Sequence, residues 1–249
     1  MDGHRKLERV QRPRPVSVGV RVRVQDINKG EQITMKKIVA FDLETIADKA
    51  MLGLLPEVKA SGTLKDPAKI AADIQDKKMK QVKEMGLSPM TNMICCAGWC
   101  DGENAGAVLL REESLAGEKA LLEEYWEILS KYDHFVSFNG RSFDLPTMLI
   151  HGITHGIRPS VAIDRGRYNK GNHTDLRQIL AGEDKFAPGK LDFFARKFLG
   201  EQKTEGIDGA MINDYWDLGL HDDIADYCIQ DCVLTHKLFL MCEIAGLTE

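Results

Sequence analysis

Asp42 and Glu44 stand one residue apart at the end of the apolar run Ile38-Val39-Ala40-Phe41, inside the segment "KKIVAFDLETIAD". The run is apolar without alternation, the pattern of a strand buried on both faces. Side chains at i and i+2 of a strand leave on the same side, so this spacing predicts two carboxylates projecting together. Their repulsion is relieved by protonating one, by water, or by a divalent cation between them. Only the cation carries chemistry. An isolated Asp-x-Glu also marks ordinary solvated strand ends, so partners elsewhere in the chain must decide.

Two segments offer such partners. The strand-like "HFVSF" runs into "NGRSFDLP", where Asn139-Gly140 predicts a sharp exit and Asp144 falls at a helix start, with Pro146 in the first turn. Asp144 is equally placed to be a helix N-cap. If this strand lies beside the first, both carboxyl ends open onto one crevice, the usual ligand position in open α/β sheets. In "DDIADYCIQDCVLTHKLFL", Tyr227 and Asp231 are four residues apart and share a helix face, while Ile224, Cys228, Val233, Leu234 and Leu238 supply a packing surface. Phe143 is a candidate to stack on a base and equally a core residue. Thr45 and Asn139 offer a hydroxyl and an amide, in positions that also suit turns. Arg141 and Lys203 are candidate phosphate contacts or simply exposed charges. His151 and His155 form an i, i+4 pair, but the intervening "GIT" lacks the glutamate of a zinc-protease helix, so no zinc site is expected there.

The elements that must position these groups follow from periodicity. Residues 47–91, with "PAKIAADIQDKKMKQVKEMG", read as a helical insertion. "NMICCAGWC" and "AGAVLLRE", joined by "DGENAG", read as a hairpin. Ser114 opens an amphipathic helix ahead of the "HFVSF" strand, and residues 144–155 read as helical. "HTDLRQIL" and "KLDFFARKFLG" read as further helical pieces, before a last helix from about Asp222 to Cys242. Three strands, a helix, a strand and then mostly helices predict an α/β structure around a mixed sheet. No G-x-G-x-x-G or Walker motif is present, which removes the usual dinucleotide and P-loop readings.

Bulk properties narrow the function. With 249 residues and 43% hydrophobic composition, the chain can bury one substantial core. No apolar stretch is long enough to span a bilayer and the N-terminus lacks the apolar core of a signal peptide, so a cytoplasmic protein with no membrane partner is expected. Six cysteines without a CxxC pair fit thiols packed in a reduced core. The net charge of −5 argues against gripping nucleic acid by bulk positive field, though metal recruited to an acidic site supplies positive charge locally. Residues 1–34 carry eight basic and four acidic residues against 25 and 34 in the remainder. This break predicts a weakly ordered N-terminal extension over 1–34, with "VSVGVRVRVQD" as a short edge strand, ahead of one domain over 35–249.

Taken together, "FDLET" (Asp42, Glu44), "NGRSFDLP" (Asp144) and "YCIQD" (Tyr227, Asp231) resemble the three motifs of the DEDD superfamily of 3′-to-5′ exonucleases, in its tyrosine branch. The chain is similar to stand-alone exonucleases related to the proofreading domain of family B DNA polymerases; "HTDLRQIL", "KLDFFARKFLG" and "EGIDGAMI" add to that likeness. The resemblance extends from Met35 nearly to the C-terminus and implies a ribonuclease H-like mixed β-sheet flanked by helices. It implies that Asp42, Glu44, Asp144 and Asp231 hold two Mg²⁺ or Mn²⁺ ions, hard cations that prefer carboxylate oxygen. One ion would generate hydroxide and the other would stabilise the leaving 3′-oxygen. Tyr227 would orient the attacking water, because a phenol is a poor base at neutral pH. The implied substrate is a 3′ end of single-stranded DNA or RNA, DNA ahead of RNA, with DNA repair as the expected setting and Thr45, Asn139 and Phe143 as contacts. Two alternatives are a non-catalytic nucleic-acid-binding module on the same fold and a metal-dependent endonuclease. The full set of acids plus tyrosine favours the exonuclease.

Overall fold

The computed structural model describes residues 36–166, 171–182, 189–203 and 207–248. The expected extension over 1–34 and its edge strand lie outside the described residues. Among the described residues no helix is long and apolar enough to cross a membrane.

The buried run becomes the central strand. β1 (Ile38–Ala47) lies between β2 (Asn92–Cys100), antiparallel to it, and β4 (His134–Ser137), parallel to it. β3 (Ala105–Leu109) extends the hairpin from β2, and β5 (His173–Asp175) pairs parallel with β4, giving the order β3-β2-β1-β4-β5. The insertion after β1 holds α1 (Pro67–Gly86), the span its sequence predicts, with Asp66 capping and Pro67 in the first turn. α2 (Leu115–Leu129) starts at Ser114, whose side chain accepts the Gly117 N–H. Next come α3 (Asp144–His155), α4 (Leu176–Ala181), α5 (Leu191–Phe194), α6 (Ile212–Asp217) and α7 (His221–Ile244).

Alternation along β1 builds two cores. Val39, Phe41 and Leu43 pack with Leu122, Tyr125 and Trp126 of α2 and with Leu145 and Met148 of α3. Ala40 packs with Val136 of β4, Leu176, Phe194, and Leu234, Leu238 and Phe239 of α7. Asp42 and Glu44, in step with Ala40, therefore leave β1 on the α7 side.

One expectation needs correcting. "HTDLRQIL" is not all helix: its first three residues form β5 and only the remainder is α4. A three-residue strand is too short to show a period of two. "KLDFFARKFLG" starts as α5 but widens into a π-helical turn over Ala195–Leu199, ending at Gly200 with φ of 68°. The six cysteines are free and buried, as expected of core thiols.

Candidate metal and nucleic-acid site

The close approach of α7 to the sheet begins with a glycine. Gly98 on β2 pairs with Asp42. A Cβ on Gly98 would lie 2.7 Å from the Cys228 sulfur and 3.1 Å from the Cys228 carbonyl oxygen. Glycine there lets α7 lie against the hairpin and brings Tyr227 and Asp231 over β1. A register shift between Glu44 and Thr45 breaks the β1–β2 ladder beside the acids. One ligand atom from each of Asp42, Glu44 and Cys228 fits within 4.8 Å of the others.

Asp144 arrives from the other side of β1. β4 pairs with β1 only through Ala40, so the Leu43 N–H has no strand partner; the Asp144 carboxylate accepts it at 2.8 Å. Asp144 is the first residue of α3 and Phe143 takes the cap position without a side-chain bond, so Asp144 is a tertiary contact rather than an N-cap. The turn before it is held by a residue that the motifs do not contain. Asp175, at the end of β5, accepts the N–H of Asn139 at 2.9 Å and of Arg141 at 3.0 Å. Asn139 has φ of 71°, a left-handed conformation, and a Cβ on Gly140 would lie 2.5 Å from Ser137.

The acids are expensive as anions where they sit. Burial, then the charges of Asp144, Asp231 and Glu44, pushes Asp42 well above the usual carboxylate range. Burial likewise raises Glu44, with Asp231 adding and Lys203 opposing. Asp144 is lifted to about 7 by burial, despite the Leu43 N–H that favours its anion. Asp231 is lifted to about 6 by burial, with Lys203 pulling it back. Asp231 Oδ1 is buried and has no hydrogen-bond partner among the described residues. Four carboxyls thus lie in one electrostatic neighbourhood, with the Cys228 thiol beside Asp42 and Glu44, and their oxygens are donors of the kind that hard divalent cations take.

Lys203 donates to the Tyr227 hydroxyl at 3.0 Å and to Asp231 Oδ2. Its ammonium lies 4.6 Å from the Tyr227 ring centroid. Burial lowers the Lys203 pKa, but Asp231 and Tyr227 more than offset this and leave it raised. Burial, then Asp231, raises the Tyr227 phenol, so it stays protonated. These residues open onto a cleft of about 580 Å³, also lined by Phe138, Asn139, Arg177, Lys190 and Arg196.

Residues 91–247 match the family described as predicted 3′-5′ exonucleases related to the exonuclease domain of PolB. The chain belongs to that family. The match takes in Asp144, Tyr227 and Asp231, while Asp42 and Glu44 precede it. DNA polymerase 1 of Sulfurisphaera ohwakuensis is 27% identical over 164 residues, 55% of this chain and 18% of the polymerase. DNA polymerase 1 of Sulfolobus acidocaldarius is 28% identical over 139 residues, 51% and 15% respectively. The chain thus spans less than a fifth of either relative. The fold is similar to part of the family B DNA polymerase from Pyrobaculum calidifontis, with a TM-score of 0.53 at 15% identity, over 83% of this chain and 24% of that one. The mixed sheet flanked by helices is a ribonuclease H-like α/β fold, as the motifs imply.

For an exonuclease-family chain the remaining candidates divide between two hollows. Asn139 lines the main cleft. Thr45 and Phe143 line a smaller one of about 170 Å³ with Glu44, Gly86, Leu87 and Asn213. The Thr45 hydroxyl donates to the Gly86 carbonyl at 2.6 Å, tying the end of α1 to β1. Arg141 donates to the His173 carbonyl at 2.9 Å and is not among the cleft-lining residues. Sequence reasoning missed Asp175 and cast Lys203 as a phosphate contact or an exposed charge. The "HTD" preceding α4 carried a capping signal for Asp175, but nothing local indicated its grip on residues 139–141.

Proposed function

We propose that this chain is a metal-dependent 3′-to-5′ exonuclease that hydrolyses single-stranded nucleic acid. The observation that carries the reading is the meeting of Asp42, Glu44, Asp144 and Asp231, from β1, α3 and α7, with Asp231 Oδ1 left idle. Burying four acids together is costly for folding and offers a packing role nothing in return. When bound to these carboxylates, two divalent cations would activate a water molecule and stabilise the leaving 3′-oxygen. Tyr227 keeps its proton and orients the attacking water through its hydroxyl. Lys203 positions that hydroxyl and holds Asp231 Oδ2, leaving the second oxygen available to a cation. Phe143 offers a half-exposed ring to the terminal base, beside Glu44 in the smaller hollow. Asn139 and Thr45 bracket the strand, with Arg177, Lys190 and Arg196 along the larger cleft for its phosphates.

End-labelled DNA and RNA single strands, incubated with Mg²⁺ or Mn²⁺ and separately with chelator, test the reading. Stepwise release of nucleotides from the 3′ end, abolished by chelator, is expected, with DNA cut faster than RNA. Release from the 5′ end would overturn the polarity, and cleavage of a circular strand would make the protein an endonuclease.

A further inference from the structure

The i, i+4 histidines of α3 lack an intervening glutamate, but the fold brings one from α2. Glu118 Oε1 lies 2.7 Å from His151 Nδ1, and Glu118 Oε2 lies 2.7 Å from His155 Nε2. The Glu118 side chain is 2% exposed, and those of His151 and His155 are 7% and 4% exposed. We propose that Glu118, His151 and His155 form a second metal site, for a divalent transition-metal ion of the zinc class, separate from the carboxylate cleft.

The donor set differs in kind from the cleft. Two imidazoles and one carboxylate suit zinc and its neighbours, whereas the cleft's carboxylates suit harder ions. Helical spacing puts both imidazoles on one face of α3, and one ligand atom from each residue fits within 4.8 Å of the others. Tetrahedral zinc with bonds near 2.0 Å spaces its donors by about 3.3 Å. The two 2.7 Å contacts of Glu118 would open by roughly half an ångström to reach that spacing, a small side-chain shift.

The supporting contacts orient the donors. His151 Nε2 faces the Asn92 side-chain oxygen at 2.9 Å and the Pro89 carbonyl at 3.2 Å. Asn92 cannot offer its amide N–H₂ to the imidazole instead, because that group donates to the Gly86 carbonyl. Nε2 of His151 therefore carries a proton and aims Nδ1 at Glu118, as carbonyl partners do for metal-bound histidines. The Ile94 N–H donates to Glu118 Oε1 at 2.6 Å. Burial raises the Glu118 carboxyl, but the imidazoles and this N–H more than offset it and leave it below the ordinary range, an anion at neutral pH. Binding would send any proton on His151 Nδ1 to solvent and shift the proton of His155 from Nε2 to Nδ1 of the same ring, leaving each facing nitrogen a lone pair for the metal. The ion would fasten α3, whose first residue is Asp144, to α2 and the start of β2.

The full-length chain, with Asp42→Asn and Asp231→Asn to weaken the cleft as a competitor, is dialysed against Zn²⁺ in excess Mg²⁺, desalted and analysed for metal. One zinc per chain is expected, falling at least tenfold in His155→Gln and in Glu118→Gln, with far-UV circular dichroism confirming that the variants are folded. Should those variants unfold, nitrogen NMR of the imidazoles in the unsubstituted chain gives the same decision. Zinc should then shift His151 Nδ1 and His155 Nε2 while His151 Nε2 keeps its proton. A folded chain without stoichiometric zinc, zinc content unchanged in folded His155→Gln, or His151 doubly protonated at zinc saturation would each overturn the site.

Discussion

At the scale of the residue, Tyr227 and Asp42 separate catalysis from stability. Phenylalanine at 227 keeps the ring that packs in the core and loses only the hydroxyl held by Lys203. Tyr227→Phe is expected to bind metal and substrate normally and to cleave about 10²-fold more slowly, the order associated with a positioned proton-handling group. Single-turnover cleavage measures this, and the parent rate in the variant would reduce Tyr227 to a packing residue. Asp42 lies among like charges, in a position that burial makes unfavourable for an anion. Asp42→Asn should therefore raise the unfolding midpoint of the metal-free protein at neutral pH while abolishing cleavage, a trade of function for stability. A lower midpoint would show that the Asp42 carboxyl is part of the scaffold.

At the scale of the element, the site depends on how closely α7 lies on the hairpin. Ala at position 98 would put a methyl 2.7 Å from the Cys228 sulfur and against the Cys228 backbone. Gly98→Ala is expected to cost about 1–3 kcal/mol, the usual range for overpacking. Urea unfolding measures it, and an unchanged midpoint would show that α7 can shift without loss. Elements of this length were legible in the sequence. β1 announced itself by an unbroken apolar run, α1 by the helical patch "PAKIAADIQDKKMKQVKEMG", and α7 by the shared face of Tyr227 and Asp231. β5 was not legible, since His173, Thr174 and Asp175 are all polar and yet all buried. Their burial comes from pairing with β4 and from His173 donating or accepting at Ser137 and Asp164, contacts 36 and 9 residues away. Glu118 was hidden for the same reason: its partners are 33 and 37 residues further along the chain, with neither pattern nor motif to connect them.

At the scale of the whole molecule, charge and metal are linked through stability. The change from eight basic and four acidic residues over 1–34 to an acidic remainder predicts that a chain beginning at Met35 melts cooperatively and degrades short strands. Loss of the cooperative transition would make residues 1–34 part of the fold. The described residues fold around carboxyls whose pKa values are raised: Asp144 to about 7, Asp231 to about 6, Asp42 and Glu44 also upward. The unfolded chain releases these protons near the usual carboxylate pKa of about 4, while the folded chain keeps them to higher pH. Between those values the folded state binds more protons, so this contribution to metal-free stability falls as pH rises. His173 works in the opposite sense. Burial lowers it to about 4, so its contribution is lost as pH falls from about 6.5 toward that value. Measured in His155→Gln, which removes the histidine site, the difference in melting temperature with and without Mn²⁺ cancels His173, which lies outside the acid cluster, and isolates the carboxylates. Cations bind their anionic form, so the stabilisation by Mn²⁺ should be small near pH 5, grow through about 6 to 7 and level off above. Asp144→Asn removes one of these titrations and should flatten the rise. A Mn²⁺ increment independent of pH in His155→Gln would mean that these carboxyls do not hold the metal.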